Sequence, residues 1–355
     1  MTADDPTGGA LRITPDTALD SASAPDAAPD PSPPEAGAGA ADGSARRWPP
    51  RVVTAGLAVI LLALLLIPAV TTPRFLTLDN ARAILASAAF VGITSVGATM
   101  VMIAGSGVSL ATSQIATVVA MFFLGTQHLG LGAALLIALA AGVALNAFHG
   151  AVIGYWKADP IVLTIAGGFA IGGAATWFSG GTTVYPGARG FEVLNATPLG
   201  LPLAVYVLLA VTVVVEWTLR RTTAGRQMYL VGENRAAARA AGLPVGRVTV
   251  LAWAVSGACV ALTGVFLASF TTSATVTLGG TLTLDAIAAV LVGGTAISGG
   301  HGSAVRTLGG AVLISVISDV LLLRGYSTGV QILVKGVLVL TVVLVVQVRS
   351  GRGRR

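Results

Sequence analysis

The sequence predicts an all-α, polytopic membrane protein, a helical bundle of about ten transmembrane helices. Three observations carry this. Hydrophobic residues fill 54% of the 355 positions and charged residues only 10%, where an ordinary soluble domain carries about 25% charged residues. The mean hydropathy is +0.85. The apolar runs are continuous and reach the ~20 residues that a spanning helix needs, unlike the short alternating segments of a membrane barrel.

Charge divides the chain. Residues 1–45 hold eight of the fifteen acidic residues and a single base, Arg12. This Ala-, Asp- and Pro-rich tail lacks the apolar content that offsets ordering entropy and is expected to be disordered and dispensable. It does not read as a secretory signal, because its start is acidic and no apolar run follows in time. Residues 46–355 keep 20 basic and 7 acidic residues. Arg46, Arg47 and Arg51 precede the first span, Arg220 and Arg221 follow the sixth, and residues 350–355 form a basic tail. By the positive-inside rule all three regions are cytoplasmic. The transmembrane domain is 46–349. Arginines that flank spans, without interleaved aromatics, do not form a nucleic-acid surface.

The spans are expected at 52–71, 84–104, 115–127, 130–153, 161–178, 200–219, 247–270, 284–298, 304–323 and 330–348. Leu78-Asp79-Asn80 reads as the capped start of a helix running into the second span. The third and eighth are short enough to be broken or re-entrant. Arg74, Arg82, Arg189 and Arg324 fall on the outside, against the general trend.

The longest polar interruption, 221–247, carries helix punctuation. Asn234 is a good N-cap, Ala236–Ala238, Ala240 and Ala241 are strong helix formers, and Gly242 followed by Pro244 stops the helix. Arg235 and Arg239 share one face, and Ala237, Ala238 and Ala241 make a smooth one. Through Gly225-Arg226, Tyr229, Gly232, Asn234, Ala237-Ala238, Gly242 and Val245, this stretch resembles the cytoplasmic coupling loop of ribose-type sugar ABC transporter permeases. A second stretch, Leu284 to Ser303 continuing through Gly309-Gly310, resembles the most recognisable segment of the same family, and Gln331 and Lys335-Gly336 fit its last span. The resemblance runs from about Asn80 to Val345.

The resemblance implies an ABC importer permease fold, with a short helix that docks on a separate ATPase subunit. Gly225, Arg226, Gly232, Asn234, Arg235, Ala237, Ala238, Arg239 and Gly242 are its coupling residues, with Ala237 and Ala238 expected to face a groove on the partner. It also implies an extracytoplasmic substrate-binding protein, a second permease copy, and ATP–Mg bound by the partner rather than by this chain. The location implied is the bacterial cytoplasmic membrane.

Residues 105–114 line up with a further Gly-rich family segment and depart from it. Ser109 stands where the family usually has an aspartate, Ala111 where it has a serine, and Ser113 where it has a glycine. The charge is lost and the polarity kept, which leaves room for an unusual substrate. The stretches 90–121 and 284–314 both read as apolar run, Gly/Ser/Thr break, apolar run, and such paired interruptions can mark a translocation site. Candidates for the path are Ser109, Thr112, Ser113, Gln114, Asn146, Thr164, Thr295 and Ser298. Ser256, Ser318 and Asp319 are further intramembrane polar groups suited to bonding between helices. Asp285 reads as an external helix N-cap.

No enzyme chemistry is legible. There is no G-x-x-x-x-G-K-[ST] to cradle phosphates and no clustered catalytic set. His128, His149 and His301 lack metal-ligand spacing, and Cys259, the only cysteine, cannot form an intrachain disulfide. The expected function is the permease subunit of an importer for a small sugar. The rivals are a permease for a nucleoside or a signalling furanoid, and an ion-coupled secondary transporter. The last needs a deep carboxylate relay, for which Asp319 is the candidate.

Overall fold

The structure, a computed structural model, describes residues 75, 77–187 and 191–351. The tail 1–45, Arg46, Arg47, Arg51, the expected span 52–71, Arg74, Arg189 and residues 352–355 lie outside the described residues. The described part belongs to one compact unit. Its helices are α1 (Leu78–Ile103), α2 (Thr112–Gly125), α3 (Leu131–Trp156), α4 (Pro160–Ser179), α5 (Leu203–Arg221), α6 (Thr223–Glu233), α7 (Arg235–Ala240), α8 (Val245–Thr271), α9 (Leu282–Val292), α10 (Ala304–Leu323) and α11 (Thr328–Gly351).

Six of these, α1, α3, α4, α5, α8 and α10, are long and apolar enough to cross a membrane, while α2, α9 and the start of α11 are shorter apolar helices. Local sequence sets their ends. Thr77 caps α1 by accepting the Asn80 amide at 3.3 Å. Asp159 caps α4 by accepting the amides of Ile161 and Val162 at 2.9 and 3.0 Å, with Pro160 in the first position, where its missing N–H costs nothing. The eighth expected span is cut short: α9 ends at Val292, and Gly293 and Gly294 turn the chain where the sequence suggested helix to 298.

Burial separates core from periphery. The most apolar window of α1 is 72% buried and that of α8 is 61%, against 17% for α4. α1 therefore lies inside, against α5, α8, α9 and α10, and α3 lies along α8. Lipid tails are as apolar as the side chains, so close packing and interhelical hydrogen bonds hold such helices together. A β-carbon on Gly142 of α3 would stand 2.7 Å from that of Ala261 on α8. Buried hydroxyls join Thr94 to Thr263 and Thr99 to Thr307, each at 2.8 Å.

The Thr99–Thr307 pair is open to test. Thr99→Val should lower the melting point of the detergent-purified protein by the equivalent of about 1 kcal/mol, because the Thr307 hydroxyl loses its partner. Adding Thr307→Val should recover part of that loss. Equal and additive losses in the two single variants would show that the hydroxyls do not act as a pair.

Candidate functional site

The two interrupted stretches meet. An 11-residue helix such as α9 measures about 16 Å, roughly half of a ~30 Å hydrocarbon core. Its last turn lies beside the start of α10, where a β-carbon on Gly293 would stand 2.7 Å from the Thr307 Cα. Its first turn therefore lies deep in the bundle. The 14-residue α2 also starts deep and runs to the opposite end, where Val184 and Ala274 pair through two 2.9 Å backbone bonds.

Neither half-helix is capped by its own N-cap side chain, Ala111 for α2 and Thr281 for α9. Each is capped by the other. The Ser113 amide donates to the Thr283 Oγ1 at 2.8 Å, the Thr283 amide donates to the Ser113 Oγ at 3.0 Å, and the two hydroxyls lie 2.7 Å apart. The Gly279 amide adds a bond to the Thr117 Oγ1 at 2.9 Å. These contacts satisfy amides that a helix start leaves open.

Several path candidates gather at this point. The Thr112 hydroxyl donates to the Ser109 carbonyl at 3.2 Å, and Thr164 of α4 accepts the Leu110 amide at 3.1 Å. Gln114 Oε1 and Ser109 Oγ are buried without a hydrogen-bond partner among the described residues, and Gln114 lies beside Gly168 and Gly172 of α4. Three other candidates lie elsewhere. Asn146 is wedged between α3 and α8 against Gly257, and Thr295 and Ser298 fall in the 293–303 turn at the far end of α9.

That turn is part of a second assembly, a glycine junction. Gly105, Gly232, Gly299 and Gly300 bring the break after α1, the end of α6 and the turn after α9 into backbone contact. A β-carbon on Gly299 would stand 2.7 Å from the Gly105 Cα, and one on Gly232 would collide with the Ile103 carbonyl. The Gly300 amide donates to that same carbonyl at 2.9 Å, and the Tyr229 hydroxyl donates to the Gly302 carbonyl at 3.0 Å. Burial, and then the nearby Glu216, raise the pKa of the Tyr229 phenol, so it stays a donor. No side chain fits here, which is the packing role the glycine-rich sequence implied.

Glu216, near the end of α5, completes the assembly. Its carboxylate accepts the Ser303 hydroxyl at 3.1 Å and the Ala304 amide at 2.7 Å, and it is paired with Arg220. It thus caps α10, where a negative charge favours the helix dipole. Sequence reasoning missed Glu216, because in Glu-Trp-Thr-Leu-Arg-Arg it reads as part of a charged flank.

The 221–247 segment folds as two helices rather than one. Asn234 caps α7 by accepting the Ala237 amide at 2.9 Å, and Gly242 takes a φ of +77° at its end. The missed helix is α6, capped by Thr222 at 3.1 Å to the Gly225 amide. Arg226, Asn234, Ala237, Arg239, Ala241 and Gly242 are exposed. Ala238 is not, which corrects the expectation that it faces a partner. It is 5% exposed and packs with Met228, Val231 and Val245 of the same chain, because α7 must seat one side on the bundle. Gly225 and Gly232 also pack internally. Arg235 turns back to donate to Thr249 at 3.1 Å, and burial, then the charge of Arg239, lower its pKa.

Two aspartates need correction as well. Asp285 is no external cap. It lies one turn inside α9, 7% exposed, with its Oδ1 2.7 Å from the Lys335 Nζ of α11 and its Oδ2 2.7 Å from the Thr281 hydroxyl. Asp319 is not deep. Its Oδ2 accepts Asn80 Nδ2 at 3.0 Å, in the first turn of α1 and hence at the end of the bundle away from α6 and α7.

Comparison with known proteins fits this architecture. Residues 80–346 match the family described as branched-chain amino acid transport system / permease component. The chain belongs to this permease family. It is 30% identical to the ribose import permease protein RbsC of Escherichia coli over 295 residues, covering 81% of this chain and 91% of the relative. It is 32% identical to RbsC of Bacillus subtilis over 302 residues, covering 82% and 91%. The autoinducer 2 import system permease protein LsrD of Photorhabdus laumondii is 28% identical over 296 residues, covering 81% and 89%. No solved structure matches.

In this permease, Glu216→Ala should strip two donors at the start of α10 of their acceptor. The expected loss is about 1–3 kcal/mol of stability, read as a lower melting point in detergent. Glu216→Gln keeps one acceptor and should lose less. Equal melting points for all three proteins would contradict the capping role.

Proposed function

We propose that this chain is the membrane-spanning subunit of a binding-protein-dependent ABC importer, moving a small sugar across the cytoplasmic membrane on energy from a separate ATPase. The observation that carries this reading is the exposed edge of α6 and α7 fixed, through the glycine junction, to the base of both interrupted segments. Alanines and arginines there form a low surface suited to a groove on another protein. The chain has no phosphate-cradling motif of its own, so ATP–Mg is assigned to the partner.

The same reading places α6 and α7, both termini and the basic tail on the cytoplasmic side, where arginines cluster. It pairs the permease with a second copy or a paralogue, and with an extracytoplasmic binding protein that sets most of the selectivity. Ribose in the names of two relatives supports a sugar as cargo. The third is named for autoinducer 2 import, and with Ser109 and Ala111 at departures from the family pattern it favours a second reading in which the cargo is a nucleoside or another small polar solute. Asp319, paired to Asn80 at the end of the bundle, offers little to an ion-coupled mechanism.

The coupling surface is tested at Ala237, which is exposed, and not at Ala238, which is buried. Ala237→Glu adds bulk and charge to a fitted contact and should cost docking about 1–3 kcal/mol, roughly five- to 150-fold in affinity, read as less co-purified ATPase with normal permease levels. Ala238→Glu should instead reduce the folded permease itself. Full ATPase capture and full sugar uptake by Ala237→Glu would make the segment a mere connector.

A further inference from the structure

Among the described residues, Asp285–Lys335 is the one ion pair with both side chains buried. Both side chains are about 10% exposed, and Lys335 Nζ lies 2.7 Å from Asp285 Oδ1. Charges inside a membrane bundle are costly, and a pair that only held two helices together would serve no better than apolar residues of the same volume. The surroundings are not those of a strut. A cavity of about 170 Å³ lies beside the pair, lined by Thr281 and Ile287 on the α9 side and by Ile332, Gly336 and Val339 on α11. This cavity is a cleft that opens beside the exposed Leu284 and Ile332, so α9 and α11 are not fitted to each other at this point. It leaves the two side chains room to part.

The position of α9 gives the pair a use. The helix touches α2, α1, α10 and α11. Its first turn is tied to α2 through Ser113 and Thr283. Its last turn leads into the glycine junction, where Gly299 and Gly300 lie against Gly232 and Glu233 of α6. A displacement of α6 therefore reaches α9 through rigid backbone contact. From α9 it reaches α11 at the Asp285–Lys335 pair. α11 itself carries an outer face of exposed Leu333, Val337 and Leu340.

We propose that Asp285 and Lys335 form a positioning latch of the transport cycle. Closed, the latch holds α11 to α9. When α6 shifts α9 through the glycine junction, the ion pair parts into the adjoining cleft, and α11 is released. Asp285 keeps the Thr281 hydroxyl throughout. This inference rests on the permease reading and adds to it the residues that pass movement from the coupling segment to the last helix.

The test uses the full permease in proteoliposomes with its ATPase and binding protein, measuring ATP hydrolysed and substrate carried. Asp285→Asn/Lys335→Met removes both charges at similar volume. The latch predicts normal insertion, ATPase co-purification and ATP hydrolysis, with substrate carried per ATP falling at least about tenfold, a typical size for a lost coupling interaction. A wild-type ratio in this variant makes the pair a strut and overturns the proposal. Should the double variant not insert, Lys335→Arg keeps the pair and strengthens it through a two-pronged contact. The latch then predicts slower uptake with intact docking, and an unchanged rate overturns it. A wild-type protein that carries nothing in response to ATP overturns the permease reading itself, and the latch with it.

Discussion

Two helices begin inside the bundle, and their free amides have to be satisfied where water is scarce. In hydrocarbon each unsatisfied backbone group costs several kcal/mol, so the start of a half-helix needs a donor-matched partner. Ser113 and Thr283 supply it to each other, amide to hydroxyl in both directions. This exchange permits α2 and α9 to stop short of a full span, and it ties together residues 170 positions apart. The full-length helices α1 and α8 enclose the pair, with α3 and α4 towards the periphery. The polar residues of the first break, with Thr164 of α4, collect at the same point.

The second constraint is steric. Three chain segments cross at Gly105, Gly232 and Gly299 with backbones in contact, so motion at α6 cannot be absorbed by side-chain rearrangement. Glu216 and Tyr229 fasten the same region to the start of α10. The consequence is a division of labour within the polar segment. α7 offers an exposed edge of alanine and arginine, while α6 links that edge to the interrupted helices. Arg235 and Ala238, which a linear reading assigns to the exposed edge, are used to seat α7 on the bundle.

Hydropathy made most of the fold legible. Eight of the helices fall within a few residues of an expected apolar run, and the caps at Asn234 and Gly242 follow from residue type alone. The half-length of α9 was less visible, because Gly293 and Gly294 turn the chain inside a run that still looks apolar. α6 was missed because Met228 and Val231 bury only one side of an otherwise polar stretch. The site was legible as two glycine-rich breaks and illegible as a pairing, since nothing local in Ser113 points to Thr283. Asp285 was misread for a related reason. An aspartate near a helix start looks like a cap until the distant Lys335 is brought to it. Asp319 sits well inside an apolar run, yet it lies one turn from the end of α10, at the bundle edge.

In the permease reading we propose, the path runs through the meeting of α2 and α9, which opens alternately to the two sides of the membrane as the coupling segment moves. Accessibility at Ser109, whose hydroxyl holds no partner among the described residues, tests it most directly. With Ser109→Cys in a Cys259→Ser background, reconstituted with the ATPase, an impermeant thiol reagent should label residue 109 from one side of the membrane without nucleotide. With the ATPase trapped in its ATP-bound state, labelling should come from the other side. Protection from both sides in every nucleotide state, alongside normal substrate uptake, would place the path elsewhere and contradict the account.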